Sequence, residues 1–371
     1  MDFDLRAHTH LLVVSGSRGQ GLHGPGSDVD VRGFCIPPKR YHLGFLGRFE
    51  QADAAAEMAI FSDLLAPDEA ALGELEGSVY ALAKLVRLCA DCNPNLLEVL
   101  FCRDEEVRLA TPIGEALRAR RADFLSQRAR HSFAGYAAGQ LRRIQGHRKW
   151  LLSPPKAPPT RADFDLPEHT LLPANQRLAA EAAVKKQLDS WEIDYGELPA
   201  SQITALQTRI AEVLGETLAA GDGRWSAAAR SVGLGDDLIE AMKRERAYQA
   251  ARRHWKQFQT WKRQRNPARA ALEAAHGYDT KHAAHLVRLL RCGREILEEG
   301  VLHVWRGGRD ADELRAIRAG AWSYDELIER AEAEERALEE AVRAGRAVVP
   351  KRPDLVALDT LTVELCERAL G

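Results

Sequence analysis

The stretch VVSGSRGQGLHGPGSDVDVRGF, residues 13–34, decides the fold. A short apolar run, LLVV at 11–14, enters a glycine-rich loop, and a second β-rich run, VDVRGFCI at 29–36, leaves it beside two acidic residues, Asp28 and Asp30. Short β-rich runs bounded by glycines read as strands. A P-loop is excluded because no Gly-Lys-Ser/Thr closes the segment. Gly19-Gln20-Gly21-Leu22-His23-Gly24 matches the dinucleotide pattern G-x-G-x-x-G, but Pro25-Gly26 follows where the phosphate-binding helix would have to open. The remaining reading joins Gly16-Ser17 to Asp28-Val29-Asp30. Residues two apart on a strand share a face, so the two carboxylates project side by side while Val29 packs behind them. Such a pair repels unless a divalent cation sits between, and an oxygen-rich site suits Mg²⁺ or Mn²⁺ with phosphates as further ligands. The loop N–H groups and the Ser17 hydroxyl would then hold a nucleotide triphosphate. A solvated Ser-Asp-x-Asp turn is the competing reading. The combination of strand, Gly-Ser loop, Asp-x-Asp and second strand favours the site.

Around this segment the composition is that of a globular chain: 371 residues, 45% hydrophobic, 29% charged, with 52 Lys plus Arg against 54 Asp plus Glu. At roughly 150 residues per domain, two or three units are expected. No apolar run approaches the roughly 18 residues of a membrane helix, and MDFDLRAHTH has no secretory features, so a cytoplasmic protein without membrane contact is expected. Six cysteines in so long a chain are too sparse for a disulfide framework. A net charge of -2 is silent on polynucleotides, because only a local excess matters for phosphates.

The first hundred residues are mixed α/β and helices dominate afterwards. Helical patterns are expected from Glu76 to Leu88 and from Leu96 to Phe101, around the turn Asn93-Pro94-Asn95. SPPKAPPT, 153–160, holds four prolines and reads as a linker. Ile203, Leu206, Ile210, Val213, Leu214 and Leu218 form one amphipathic stripe. A helix over 280–299 ends at Gly300, and Ser323 with Glu326 forms a capping box. Cys89 and Cys92 form a C-x-x-C with no second pair at zinc spacing, and read as packing. No Gly-x-Ser-x-Gly is present to anchor hydrolase chemistry.

Gly16-Ser17 followed by Ser27-Asp28-Val29-Asp30-Val31-Arg32-Gly33 resembles the signature of the DNA polymerase β superfamily of nucleotidyltransferases. Asn93 to Phe101, Tyr278 to His282, His285 to Leu290, Ile317-Arg318 and Trp322-Ser323 extend the likeness to the RNA repair pathway DNA polymerase beta family. The resemblance implies an α+β fold: a small mixed-sheet, palm-like nucleotidyltransferase core with large, mainly helical additions. The expected domains are a catalytic one over 1–125, a basic helical insert over 126–275 containing the linker, and a helical domain over 276–371 completing the nucleotide site. It further implies three carboxylates holding Mg²⁺ or Mn²⁺ for transfer of NMP from an NTP with release of pyrophosphate, to an RNA end, with an RNA-repair ligase as partner. Asp28 and Asp30 take the first two positions; Glu76 is the candidate for the third and Glu74 the fallback. Gly16, Ser17 and Ser27 are the implied nucleotide-binding residues of the loop.

Lys281, His285, Arg288 and Glu295 follow helical steps along one face of 280–299, a cationic stripe suited to neutralising β and γ phosphates. His282 reads as a hydrogen-bonded structural residue. From Met242 to Arg269, ten basic residues stand against Glu245, a local charge of +9. They include Arg252, Arg253, Lys256, Lys262 and Arg263, interleaved with Tyr248, Trp255, Phe258 and Trp261, as expected of a surface that tracks a polynucleotide backbone. The aromatic spacing also fits a core stripe. Arg142 and Arg143 belong to a second cluster before the linker, and residues 325–340 carry a net -6. Two alternatives stay open: nucleotide transfer to a protein or small-molecule hydroxyl, and a non-catalytic nucleic-acid-binding module.

Overall fold

The computed structural model describes residues 3–24, 27–71, 75–169, 173–190 and 221–371. They form two compact units, Met1–Ser153 with Pro267–Gly371, and Pro154–Asn266. The fold is α+β, a five-stranded mixed sheet with extensive helical additions.

The first unit is built on strands β1 (Thr9–Ser15), β2 (Val29–Cys35), β3 (Gln51–Ala52), β4 (Leu75–Ala81) and β5 (Val107–Ala110), in the order β3-β4-β2-β1-β5. β1 pairs antiparallel with β2, and β2 runs parallel to β4. Alternation along β2 separates two cores. Val29, Val31 and Cys35 pack with Leu12, Met58 and Phe61 on one face, while Phe34 packs with Leu11 and Val13 on the other. That second face is covered by helices, Thr280–Glu299 and Arg128–Leu152 among them, whose Leu286, Leu289, Phe133 and Ile144 join the same cluster.

Glu76 to Leu88 is not one helix: Leu75–Ala81 is strand β4 and the helix spans Leu82–Ala90. Leu75 and Val79 alternate into the core, and a β-carbon at Gly77 would lie 2.2 Å from the Val31 carbonyl oxygen. Strand pairing of that closeness requires glycine. Asn93 caps the next helix, accepting from the Asn95 N–H at 3.0 Å with Pro94 at its first position. Gly300 is left-handed at the end of helix 280–299, and Ser323 and Glu326 exchange their capping bonds at 3.2 and 2.7 Å.

The proline segment after Ser153 opens the second unit. The units cut the chain differently from the expected boundaries at 125/126 and 275/276: Arg128–Leu152 and Pro267–His276 belong to the first unit. Long-range packing of helix 128–152 on helix 280–299 decides this, and local composition does not report it. The second unit contains helices Ala174–Ser190, Gly221–Ser231 and Asp236–Gln264 around a small core with Val184, Trp225 and Met242. The stripe from Ile203 to Leu218 lies outside the described residues, as does Glu74. Among the described residues no helix is long and apolar enough to cross a membrane.

Candidate active site

β1 ends in the one-turn helix Gly16–Gly19, so the chain turns away at the level where Ser15 pairs with Asp30. Gly16 has φ +60, and a β-carbon there would stand 2.1 Å from Asp30 Oδ2. The carboxylate therefore occupies the space that the missing side chain leaves. On the other side of β2, Asp30 is in parallel register with Glu76. Register partners share a sheet face, on strands roughly 4.8 Å apart. Asp28, exposed, lies two residues before Asp30. None of the three acids has an ion pair or a side-chain hydrogen bond among the described residues. The trio is open: the one described group of three ligand atoms within 4.8 Å of one another is His147, Asp279 and His282.

Uncompensated, adjacent carboxylates fit a divalent cation in charge and donor type. A further observation agrees. Ser15 is 5% exposed, its Oγ has no hydrogen-bond partner among the described residues, and it shares Asp30's face of the sheet. A buried hydroxyl left unpaired costs about 1–3 kcal/mol, so this atom is built to meet something polar.

The glycine loop closes on itself. The N–H groups of Gln20, Gly21 and Leu22 donate to the carbonyls of Gly16, Arg18 and Ser17, and Ser27 Oγ accepts from the Gly24 N–H at 3.0 Å. Among the described residues no helix stands between Gly24 and strand β2, which disposes of the dinucleotide pattern. The C-terminal part of the chain braces the loop from outside. Arg315 donates to Gly21 O at 2.7 Å, Arg318 to Leu22 O at 3.2 Å, and the Trp305 ring fills the place of a Gly21 side chain. Arg318 feels Asp28, which opposes the lowering of its pKa by burial and by Arg269.

Helix 280–299 lies over the same face, but its polar stripe is mostly committed. Arg288 is 1% exposed and donates to Glu98 Oε1 at 2.6 Å, while Gln20 Nε2 donates to Glu98 Oε2 at 3.1 Å. Glu295 is bound by Arg306 through two bonds at 2.8 and 2.9 Å. Lys281 is exposed. His285 Nδ1 accepts from Arg288 at 3.1 Å, and burial first, then the charge of Arg288, pushes its pKa well down. The expected stripe of solvated cations is thus a buried, paired network with Lys281 left at the surface.

Asp279 escaped the sequence reading although its segment did not. Fully buried, it caps helix 280–299 through the His282 N–H, binds His147 Nδ1 at 3.0 Å and is paired with Arg269. These partners hold its carboxyl far below the usual range against the opposing effect of burial. Burial also pushes His282 down to about 4, with Asp279 resisting. The guanidinium of Arg269 on Asp279 Oδ2 already supplies the positive charge that a metal would bring to this cluster. Arg32 was missed as well, although its strand parity with Asp28 and Asp30 is legible in the sequence. Arg142 and Arg143 are exposed on helix 128–152.

In the second unit, Arg252, Arg253, Lys256, Lys262 and Arg263 are exposed on helix 236–264, whereas Phe258 is buried between Trp255 and Trp261 at ring distances of 5.9 Å. The acidic helix Tyr324–Arg343 pairs in part with basic neighbours, Glu334 meeting Arg291 at 2.9 Å. Cys89 and Cys92 are both buried in the core.

Comparisons with curated proteins and with solved structures return no match. Residues 6–151, which carry the glycine loop and Asp28, Asp30 and Glu76, match the RNA repair pathway DNA polymerase beta family, the family that the sequence resembles.

Proposed function

We propose that the protein is a metal-dependent nucleotidyltransferase that moves NMP from an NTP to the end of an RNA, with release of pyrophosphate. The observation that carries this reading is the Asp30 carboxylate, seated over Gly16 with Glu76 in register beside it and, among the described residues, no cation paired to either. Asp28, Asp30 and Glu76 would hold Mg²⁺ or Mn²⁺, which when bound supplies Lewis-acid stabilisation of charge on the reacting phosphate. Gly16, Ser17 and Ser27 line the side where the triphosphate enters, and Lys281 and Arg318 add positive charge there. Ser15 Oγ offers a donor beside Asp30. In the reaction a bond forms between the acceptor hydroxyl oxygen and the α-phosphorus, the bond from that phosphorus to the bridging oxygen breaks, and pyrophosphate leaves. A carboxylate of the trio accepts the hydroxyl proton. Arg288 acts through Glu98 and Gln20 as a positioning residue beneath the loop. The exposed cations of helix 236–264 offer a backbone-tracking surface for RNA.

The test is transfer of label from each of four α-³²P-NTPs to RNA in Mg²⁺, for wild type, Asp28→Ala and Asp30→Ala. Label on RNA that either substitution abolishes is the expected result. Undiminished transfer in the double variant overturns the site. Label on protein and never on RNA redirects the acceptor to a protein hydroxyl.

A further inference from the structure

Arg32 follows Asp28 and Asp30 on the same face of β2, two residues beyond Asp30 and on the opposite side of it from the glycine loop. It is half-buried, and it has neither an ion pair nor a side-chain hydrogen bond among the described residues. Partly buried arginines normally carry a partner, because a desolvated guanidinium is costly alone. Arg143, on helix 128–152, is exposed and also unpaired among the described residues. His285 stands within electrostatic reach of both, and their charges help to depress its pKa.

The proton on His285 is settled by its neighbour. Arg288 can only donate, so Nδ1, at 3.1 Å, must accept, and a neutral ring then carries its hydrogen on Nε2. Arg288 cannot swing away, because Glu98, itself held by Gln20, binds it at 2.6 Å. Arg32, which follows Asp30 on its face of β2, and Arg143 thus act on the His285 ring, and among the described residues neither guanidinium nor the imidazole Nε2–H has an acceptor of its own. An oxyanion satisfies all three.

In-line displacement puts the leaving pyrophosphate and the attacking strand on opposite sides of the α-phosphate. With the triphosphate on the glycine-loop side, the Arg32 side faces the acceptor. We propose that Arg32, Arg143 and the His285 Nε2–H form a phosphate site that holds a phosphodiester of the acceptor strand next to the attacking hydroxyl. This rests on the nucleotidyltransfer reading for its orientation, whereas the site itself is read out by binding alone.

The experiment is equilibrium binding in EDTA, with no turnover, using a fluorescent ribo-trinucleotide in one arm and tripolyphosphate in the other. The proteins are wild type, Arg32→Gln, Arg143→Gln and the double variant, each checked by thermal melting; exposed Arg143 serves if Arg32→Gln does not fold. Expected are a trinucleotide affinity at least about tenfold lower in the double variant, a salt slope smaller by about 0.7 for the one phosphate no longer neutralised, and tripolyphosphate binding within twofold of wild type. Weakened tripolyphosphate binding with unchanged trinucleotide binding would assign the site to the nucleotide and overturn the proposal, as would no change in either arm. A wild type that binds as expected but transfers no label in Mg²⁺ would instead sink the reading of function and leave the phosphate site standing.

Discussion

Gly16 and Asp30 share one volume: Asp30 Oδ2 lies 2.1 Å from where a residue-16 β-carbon would be. The left-handed backbone at Gly16 serves the same end, because it turns the chain off the sheet just where the carboxylate needs room.

Gly16→Ala is therefore expected to harm chemistry more than folding. The φ of +60 costs alanine about 1–2 kcal/mol. The flexible end of Asp30 must also swing aside, and an ångström of misplacement lowers turnover about 100-fold. Single-turnover transfer beside urea unfolding separates the two effects; a stability loss with unchanged turnover would disconnect Gly16 from Asp30's role.

Ser15→Ala should move stability and activity in opposite directions. Its hydroxyl is buried and unpaired among the described residues, so removal relieves about 1 kcal/mol and raises the melting temperature. If that oxygen serves the site, NTP affinity in Mg²⁺ falls. Calorimetric titration with NTP checks this, and unchanged affinity would make the orphan hydroxyl a mere packing defect.

The Arg288–Glu98 pair predicts an asymmetry. Its side chains are 2% and 5% exposed, so Arg288→Met, which strands Glu98, should cost about 3–5 kcal/mol in urea unfolding. Adding Glu98→Leu should restore much of it. A single variant as stable as wild type would contradict the burial of the pair.

Histidines on helix 280–299 give a pH dependence of definite sign. His282 titrates at about 4 when folded against 6.5 as a free group, and His285 is lowered as well. Between these values the unfolded chain binds more protons, so their contribution is whole above about 6.5 and is lost as pH falls toward 4. Asp279, depressed in the folded state, loses its contribution only below its free value of 3.8. The unfolding free energy should fall below the free histidine value of 6.5 by about 1 kcal/mol per pH unit for His282, and His285→Asn should flatten the slope. A stability constant over that range would mean that both rings bind protons alike in the folded and unfolded chain.

For the second unit, Arg252→Gln with Lys256→Gln should weaken RNA binding most at low salt and lower the slope of log K against log salt by about 1.4 for single strands. Unaltered binding at 50 mM salt would remove this helix from the interface.

How much of this was written in the sequence divides by the range of the physics involved. Strand periodicity alone puts Asp28, Asp30 and Arg32 on one face, and local capping chemistry delivers the turn at Asn93, the box at Ser323 and the stop at Gly300, because each depends on residues within a turn of one another. Gly77 and Val79 already argued for strand where a helix from Glu76 was expected. Other matters were beyond any local pattern. That Glu76 stands in register with Asp30 follows from the parallel pairing of two strands distant in the chain. Whether a polar stripe on a helix is solvated or paired depends on what packs against it: Arg288 meets Glu98 across 190 residues, and the fold thereby turns an apparent phosphate clamp into a brace. Periodicity is a property of the backbone and travels with the sequence, whereas desolvation and charge pairing act through space and exist only once the chain has closed on itself.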